Sequence, residues 1–216
     1  MSGLPVIAID PGHNCQPDIG AQYGSYGEDV IVLAVAKELV RICSDKNIKT
    51  IWCLPEHAES VSDSLKQRCA RSNNSGATIY VAIHANVSEP TPGARGCETF
   101  AISTAGKAIA GNINRELTKL GFKDRGVKTT LDAGVPPYVI RSTNAIAVLV
   151  EICFLDSIAD MVTFNAAGIA AIAQAVFNGL THGSTFEAQP DNHANDPVVT
   201  NKPSLLVNAA DRKSVV

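Results

Sequence analysis

Apolar positions along this chain follow two rhythms. Short unbroken runs, rich in β-branched residues and bounded by Gly, Pro, Asn or Asp, read as buried strands. Longer stretches with apolar residues three and four apart read as helices. The first run, Val6-Ile7-Ala8-Ile9, meets Asp10-Pro11-Gly12-His13. Pro11 and Gly12 stop the strand and turn the chain, so His13 sits just past a strand's carboxyl end. A glycine-studded polar loop over 14–27 leads to a helix over 28–44, with Val30, Leu33, Ala34 and Val40 on overlapping apolar faces and Glu28 in its first turn. A strand over 49–53 follows, which makes a β-α-β unit with parallel strands.

Ser60 and Ser62 are N-cap candidates for the next helix, which runs to about Asn73. A strand over 78–83 ends in His84-Ala85-Asn86, the second histidine at a strand's carboxyl end. Further strands are expected over 97–102, 138–141 and 145–152, with Glu151 near the foot of the last and most apolar one. Helices are expected over 104–120 and 166–180, the latter capped by Asn165. Residues 124–128 and 134–137 read as irregular connections. The implied fold is α/β: a single domain with a twisted, mostly parallel central sheet flanked by helices on both faces. Periodicity fades after about Thr181, and residues 183–216 read as a low-complexity tail or linker, expected to be disordered.

Composition narrows the field. An apolar share of 45% is that of a globular protein. A net charge of −3 provides no broad basic field, and aromatics at 5% provide few stacking platforms, so no nucleic-acid partner is expected. The six cysteines, Cys15, Cys43, Cys53, Cys69, Cys97 and Cys153, form no Cys-x-x-Cys pair. They read as small hydrophobes of a reducing compartment rather than a disulfide framework, and packing is favoured over metal ligation for Cys15 and Cys153. No basic, apolar leader precedes the first strand, and no run is judged long enough to span a bilayer, so no membrane insertion is expected.

His13, His84 and Glu151 each lie at a predicted strand end, and Glu28 opens the helix that must start at the same rim. Parallel strands bring these four to one crevice, where open α/β sheets bind ligands. Two imidazoles and a carboxylate with a fourth position left to water form a catalytic zinc arrangement, and a second carboxylate can exchange protons with that water. The composition fits metal-assisted amide hydrolysis, with an α/β domain that merely has polar strand ends as the alternative. His57, His182 and His193 fall in loops or the tail and read as solvated.

The ordered set Asp10-Pro11-Gly12-His13, Gly27-Glu28, Ser62-Asp63-Ser64-Leu65 with Arg68, Ala82-Ile83-His84-Ala85-Asn86, Asp124-Arg125-Gly126-Val127-Lys128, Val139-Ile140-Arg141 and Val148-Leu149-Val150-Glu151 resembles the zinc-dependent N-acetylmuramoyl-L-alanine amidases of the amidase-3 type. The resemblance covers about residues 5 to 180 and makes 1–182 the catalytic domain. It implies one Zn2+ per chain held by His13, Glu28 and His84, with Glu151 as general base and then general acid. The implied substrate is peptidoglycan, cut at the amide between the lactyl group of N-acetylmuramic acid and L-alanine. The rival readings are a non-catalytic peptidoglycan-binding module and a zinc peptidase acting on wall peptides.

Three departures, Ala82 where the family usually has Ser, Cys153 for Gly and Ser157 for Asn, remove no implied ligand. Some relatives insert an autoinhibitory helix between the strand after the second histidine and the following helix. Residues 102–107 leave no room for one, so an open site active without an activator protein is expected. A monomer is expected. It would be made in the cytoplasm and act on the wall after release or export, in the manner of an endolysin or autolysin.

Overall fold

The computed structural model describes residues 4–88, 93–131 and 134–182. The tail expected over 183–216 lies outside these residues, as does His193. The sheet has six strands: β1 (Val6–Pro11), β4 (Lys49–Trp52), β5 (Ile79–Asn86), β6 (Cys97–Phe100), β7 (Asp124–Lys128) and β8 (Ile146–Phe154), in the order β4-β1-β5-β8-β6-β7. The first four in that order run parallel, β6 is antiparallel to β8, and β7 is parallel to β6. Two two-residue strands, β2 (Gln22–Tyr23) and β3 (Tyr26–Gly27), form a hairpin inside the loop after His13. This is the mostly parallel α/β sheet that the apolar runs predict.

Side chains alternate across the central strands and build a core on each face. Ile7, Ile9, Ile79, Val81, Ile83, Val148, Val150 and Ile152 pack with α1 (Glu28–Asp45), α3 (Thr104–Lys119) and α5 (Ile158–Thr181). Ala8, Tyr80, Ala82, Ala147 and Leu149 pack with Cys69 of α2 (Val61–Asn73) and with Val139 and Ile140 of α4 (Tyr138–Arg141). Strands buried on both faces become continuous apolar runs, which is why β1, β5 and β8 stand out. Ser60, not Ser62, caps α2, its hydroxyl accepting from the Asp63 N–H at 3.1 Å.

Four sequence expectations need correction. Residues 138–141 are helical, not extended: Pro137 starts the turn, and its carbonyl accepts from Ile140 and Arg141 at 3.1 and 3.2 Å. Residues 124–128 form β7, an edge strand whose charges and Gly126 at φ 83° hide its extended backbone. The last helix begins at Ile158, capped by Ser157, eight residues before the expected start, and Gly168 breaks it at φ 75°, ψ 163°. That helix is also long and apolar enough to cross a bilayer, against expectation. Its residues Phe164, Ile172, Val176, Phe177 and Leu180 are buried in the core, and it packs against α1 and α3.

Candidate metal centre and active site

At the end of β1 the chain reverses through left-handed backbone, His13 at φ 57° and Asn14 at φ 62°. Non-glycine residues avoid this region, with Asn a common exception. Three contacts hold the reversal: the Gly12 N–H donates to Ile83 O at 2.9 Å, and the Asn14 amide donates to Gly12 O at 2.8 Å and to Asp29 O at 3.0 Å. The turn folds the His13 ring back toward the rim. Glu28, fully buried, opens α1 and reaches the same place. Its Oε2 accepts the Ala21 N–H at 2.9 Å and its Oε1 the Ala85 N–H at 3.1 Å.

His84 on β5 completes the group. Its Nδ1 lies 2.9 Å from Glu28 Oε1, and His13 Nε2 lies 3.3 Å from the same oxygen. The two rings meet edge to face with centroids 4.9 Å apart. One ligand atom from each of His13, Glu28 and His84 lies within 4.8 Å of the others. Two nitrogens and a carboxylate oxygen so gathered fit a zinc-type donor set. Gly12 permits the closeness, since a Cβ there would fall 2.2 Å from the His84 ring.

Glu151 stands directly opposite His84 in the β5–β8 register. It is 2% exposed, and its Oε2 has no hydrogen-bond partner among the described residues. Buried polar atoms are nearly always paired, so this oxygen is an exception that calls for an explanation. Burial, then the charges of Glu28 and Glu98, push its carboxyl well above the usual range, with His13 acting against them. Burial opposes charge on His13, yet Glu28 and Asp18 outweigh it and raise the imidazole to about 10. Glu28 is held well below the usual carboxylate range despite its burial, by His13 and then His84. The strand-end placement therefore brings His13, Glu28, His84 and Glu151 to one rim. The six cysteines are free and buried, and neither Cys15 nor Cys153 is in the metal-capable group. His57 and His182 are exposed.

Several charged groups around the site escape a reading by strand ends. Asp18 lies 2.5 Å from His13 Nδ1 and accepts the Ser64 hydroxyl at 3.1 Å. Arg68, 1% exposed, donates to Asp10 at 2.5 Å, to Pro11 O at 2.7 Å and to the His13 carbonyl. The Tyr80 hydroxyl donates to the other Asp10 oxygen. Arg68 was visible only as a motif match. Glu98 on β6 faces Glu151 across the sheet and accepts from Arg125 at 3.0 Å, while the Arg125 guanidinium sits 4.7 Å over the Phe154 ring.

The reversed direction of β6 also corrects the reading of access. Glu98 pairs with Glu151, whereas Phe100 pairs with Leu149, nearer the opposite rim. The short connection from Phe100 to α3 therefore leaves from the far edge, and its brevity says nothing about what covers the crevice.

A parallel-rich α/β sheet gathers at one rim a His-Glu-His cluster that could hold a metal ion and a buried carboxylate, groups suited to a hydrolase. Residues 7–182 match the model of the N-acetylmuramoyl-L-alanine amidase family, and the chain belongs to that family. It is 30% identical over 161 residues to an endolysin of Bacillus phage SPP1, an alignment covering 70% of this chain and 55% of the endolysin. The chain spans about half the length of the curated relatives it matches. Among solved structures, it resembles the catalytic domain of CwlV, an N-acetylmuramoyl-L-alanine amidase from Bacillus (Paenibacillus) polymyxa. That match has a TM-score of 0.67 and 27% identity, and covers 82% of this chain and 97% of CwlV's. The catalytic domain of the CD27L endolysin, which targets Clostridia difficile, shares the fold at a TM-score of 0.71 and 23% identity, covering 82% and 96% of the two chains.

Proposed function

We propose that this chain is a zinc-dependent N-acetylmuramoyl-L-alanine amidase that cuts peptidoglycan at the bond between N-acetylmuramic acid and L-alanine. The observation that carries the reading is the convergence of His13, Glu28 and His84 beside a buried, unpartnered Glu151. His13, Glu28 and His84 would hold one ion per chain. When bound, zinc supplies Lewis acidity at the scissile carbonyl and at the attacking water. Glu151 takes a proton from that water at its carboxylate and returns it to the departing alanine nitrogen. Burial and the neighbouring carboxylates Glu28 and Glu98 raise this carboxyl, which favours its keeping the proton between pick-up and delivery. All four side chains come from one chain, so the proposed site is complete without a residue from a second copy. Residues 1–182 act as the catalytic domain, and the protein reaches the wall after release or export.

Digestion of isolated cell walls, with and without a chelator, tests the proposal. Expected products are free peptides with N-terminal alanine and intact glycan strands, lost on chelation and restored by zinc. Release of single amino acids would instead identify a wall peptidase, and binding without cleavage a non-catalytic module. Glu151→Gln should keep the metal and lose roughly 10²–10⁴-fold in rate. Full activity in that variant removes Glu151 from its role.

A further inference from the structure

We infer that Asp18 is the positioning residue that orients His13 toward the metal, and that Arg68 and Ser64 hold Asp18 in place for it. The inference rests on the reading of His13 as a metal ligand. The His13 ring is used at both ends. Nε2 faces Glu28 Oε1 at 3.3 Å, inside the ligand cluster, while Nδ1 meets Asp18 Oδ1 at 2.5 Å. A carboxylate acceptor at Nδ1 fixes the proton there and leaves the Nε2 lone pair for an ion. Such outer carboxylates set ring orientation and strengthen the ligand.

Asp18 is itself immobilised. It is buried, its Oδ2 accepts from the Ser64 hydroxyl at 3.1 Å, and that oxygen lies 3.7 Å from Arg68 Nη2. Ser64 and Arg68 are one turn apart on α2, and the Arg68 Nε–H donates to Ser64 Oγ at 3.1 Å. Arg68 also donates to the carbonyls of Pro11 and His13. One guanidinium thus grips His13 twice, at its left-handed backbone and, through Asp18, at its ring. A pair serving stability alone would satisfy Arg68 with Asp10. The second carboxylate, on the ring nitrogen that faces away from the cluster, is the feature that points to ligand orientation.

The test compares the full chain with Asp18→Ala, Asp18→Asn and Ser64→Ala. Zinc affinity is read by competition with a chromophoric chelator and ligand geometry by the visible spectrum of the cobalt(II) form. Thermal melts of the metal-free proteins are run alongside. Expected are a 10–100-fold weaker zinc affinity and an altered cobalt spectrum for Asp18→Ala. Asp18→Asn, whose amide oxygen still accepts from Nδ1, should recover part of the affinity, and Ser64→Ala should lose less than Asp18→Ala. If Asp18→Ala fails to fold, Asp18→Asn and Ser64→Ala carry the comparison. Folded variants that bind zinc within twofold of the parent, with its cobalt spectrum, overturn the inference. A parent chain that takes up no zinc overturns the metal centre itself, a separate result.

Discussion

Replacing Gly12 with alanine drives a methyl group against the His84 ring while leaving all three proposed metal ligands in the sequence. The added Cβ would lie 2.2 Å from His84 Cε1, 2.4 Å from Nε2 and 2.6 Å from Nδ1. Ordinary contact begins near 3.4 Å, so the ring must retreat by about 1 Å. The backbone cannot yield instead, because Gly12 is bonded through its N–H to Ile83 and through its carbonyl to Asn14. Metal–ligand distances tolerate only about 0.2 Å, and a misplacement of about 1 Å near reacting groups costs on the order of 10²-fold. The expected loss in zinc affinity is about 100-fold, or about 2.8 kcal/mol. Wall-lysis rate should fall by a similar factor at zinc concentrations that saturate the parent. Chelator competition and turbidity clearing of wall suspensions measure the two, with circular dichroism to establish folding. A folded Gly12→Ala protein that matches the parent in both would refute the crowding argument.

Two further outcomes follow from the buried charges. Arg68→Met leaves Asp10 and Asp18 buried without their cation, so urea denaturation should show a loss of about 3–5 kcal/mol, and an unchanged midpoint would count against the network. In the metal-free chain the His13 imidazole is raised from 6.5 to about 10, so its stabilisation is complete below about 6.5 and disappears as pH rises toward 10. The melting temperature in chelator should therefore fall across that window while zinc affinity rises, since binding must displace the proton. Flat profiles in calorimetry and competition would contradict this.

The ligand placement was legible because β1, β5 and β8 are buried on both faces, which turns them into plain apolar runs with polar stops. Residues 124–128 were not legible as a strand, because an edge strand bearing Asp, Arg and Lys has the composition of a loop. At 138–141 the apolar Tyr-Val-Ile stretch is too short for periodicity to decide, and Pro137 tips it toward a helical turn. Asn165 resembled a cap, but its amide reaches toward the Tyr26 hydroxyl at 3.4 Å, and the capping is done by Ser157. The Ser157 hydroxyl accepts from the Asp160 N–H at 3.3 Å, an ordinary serine cap. Asp18 and Arg68 left no local trace, since their contacts join α2 to a loop about fifty residues away. Arg68 and Ser64 entered only as motif positions of the family resemblance, in Ser62-Asp63-Ser64-Leu65 with Arg68.

The reversal of β6 and β7 gives the rim that carries His13, His84 and Glu151 two kinds of edging. On one side strands arrive and deliver His13, His84 and Glu151; on the other, strands depart. The two connections that lead into the departing strands are tied together by the Cys97 N–H to Lys123 O bond at 2.8 Å, and Asp160 anchors the first of them through the Gly96 N–H at 2.6 Å. The same departing side carries Glu98, which pairs in register with Glu151, so a change in where these strands begin is felt at that carboxylate. Two ties, Cys97 to the Lys123 carbonyl and Gly96 to the Asp160 carboxylate, therefore set the position of one wall of the crevice.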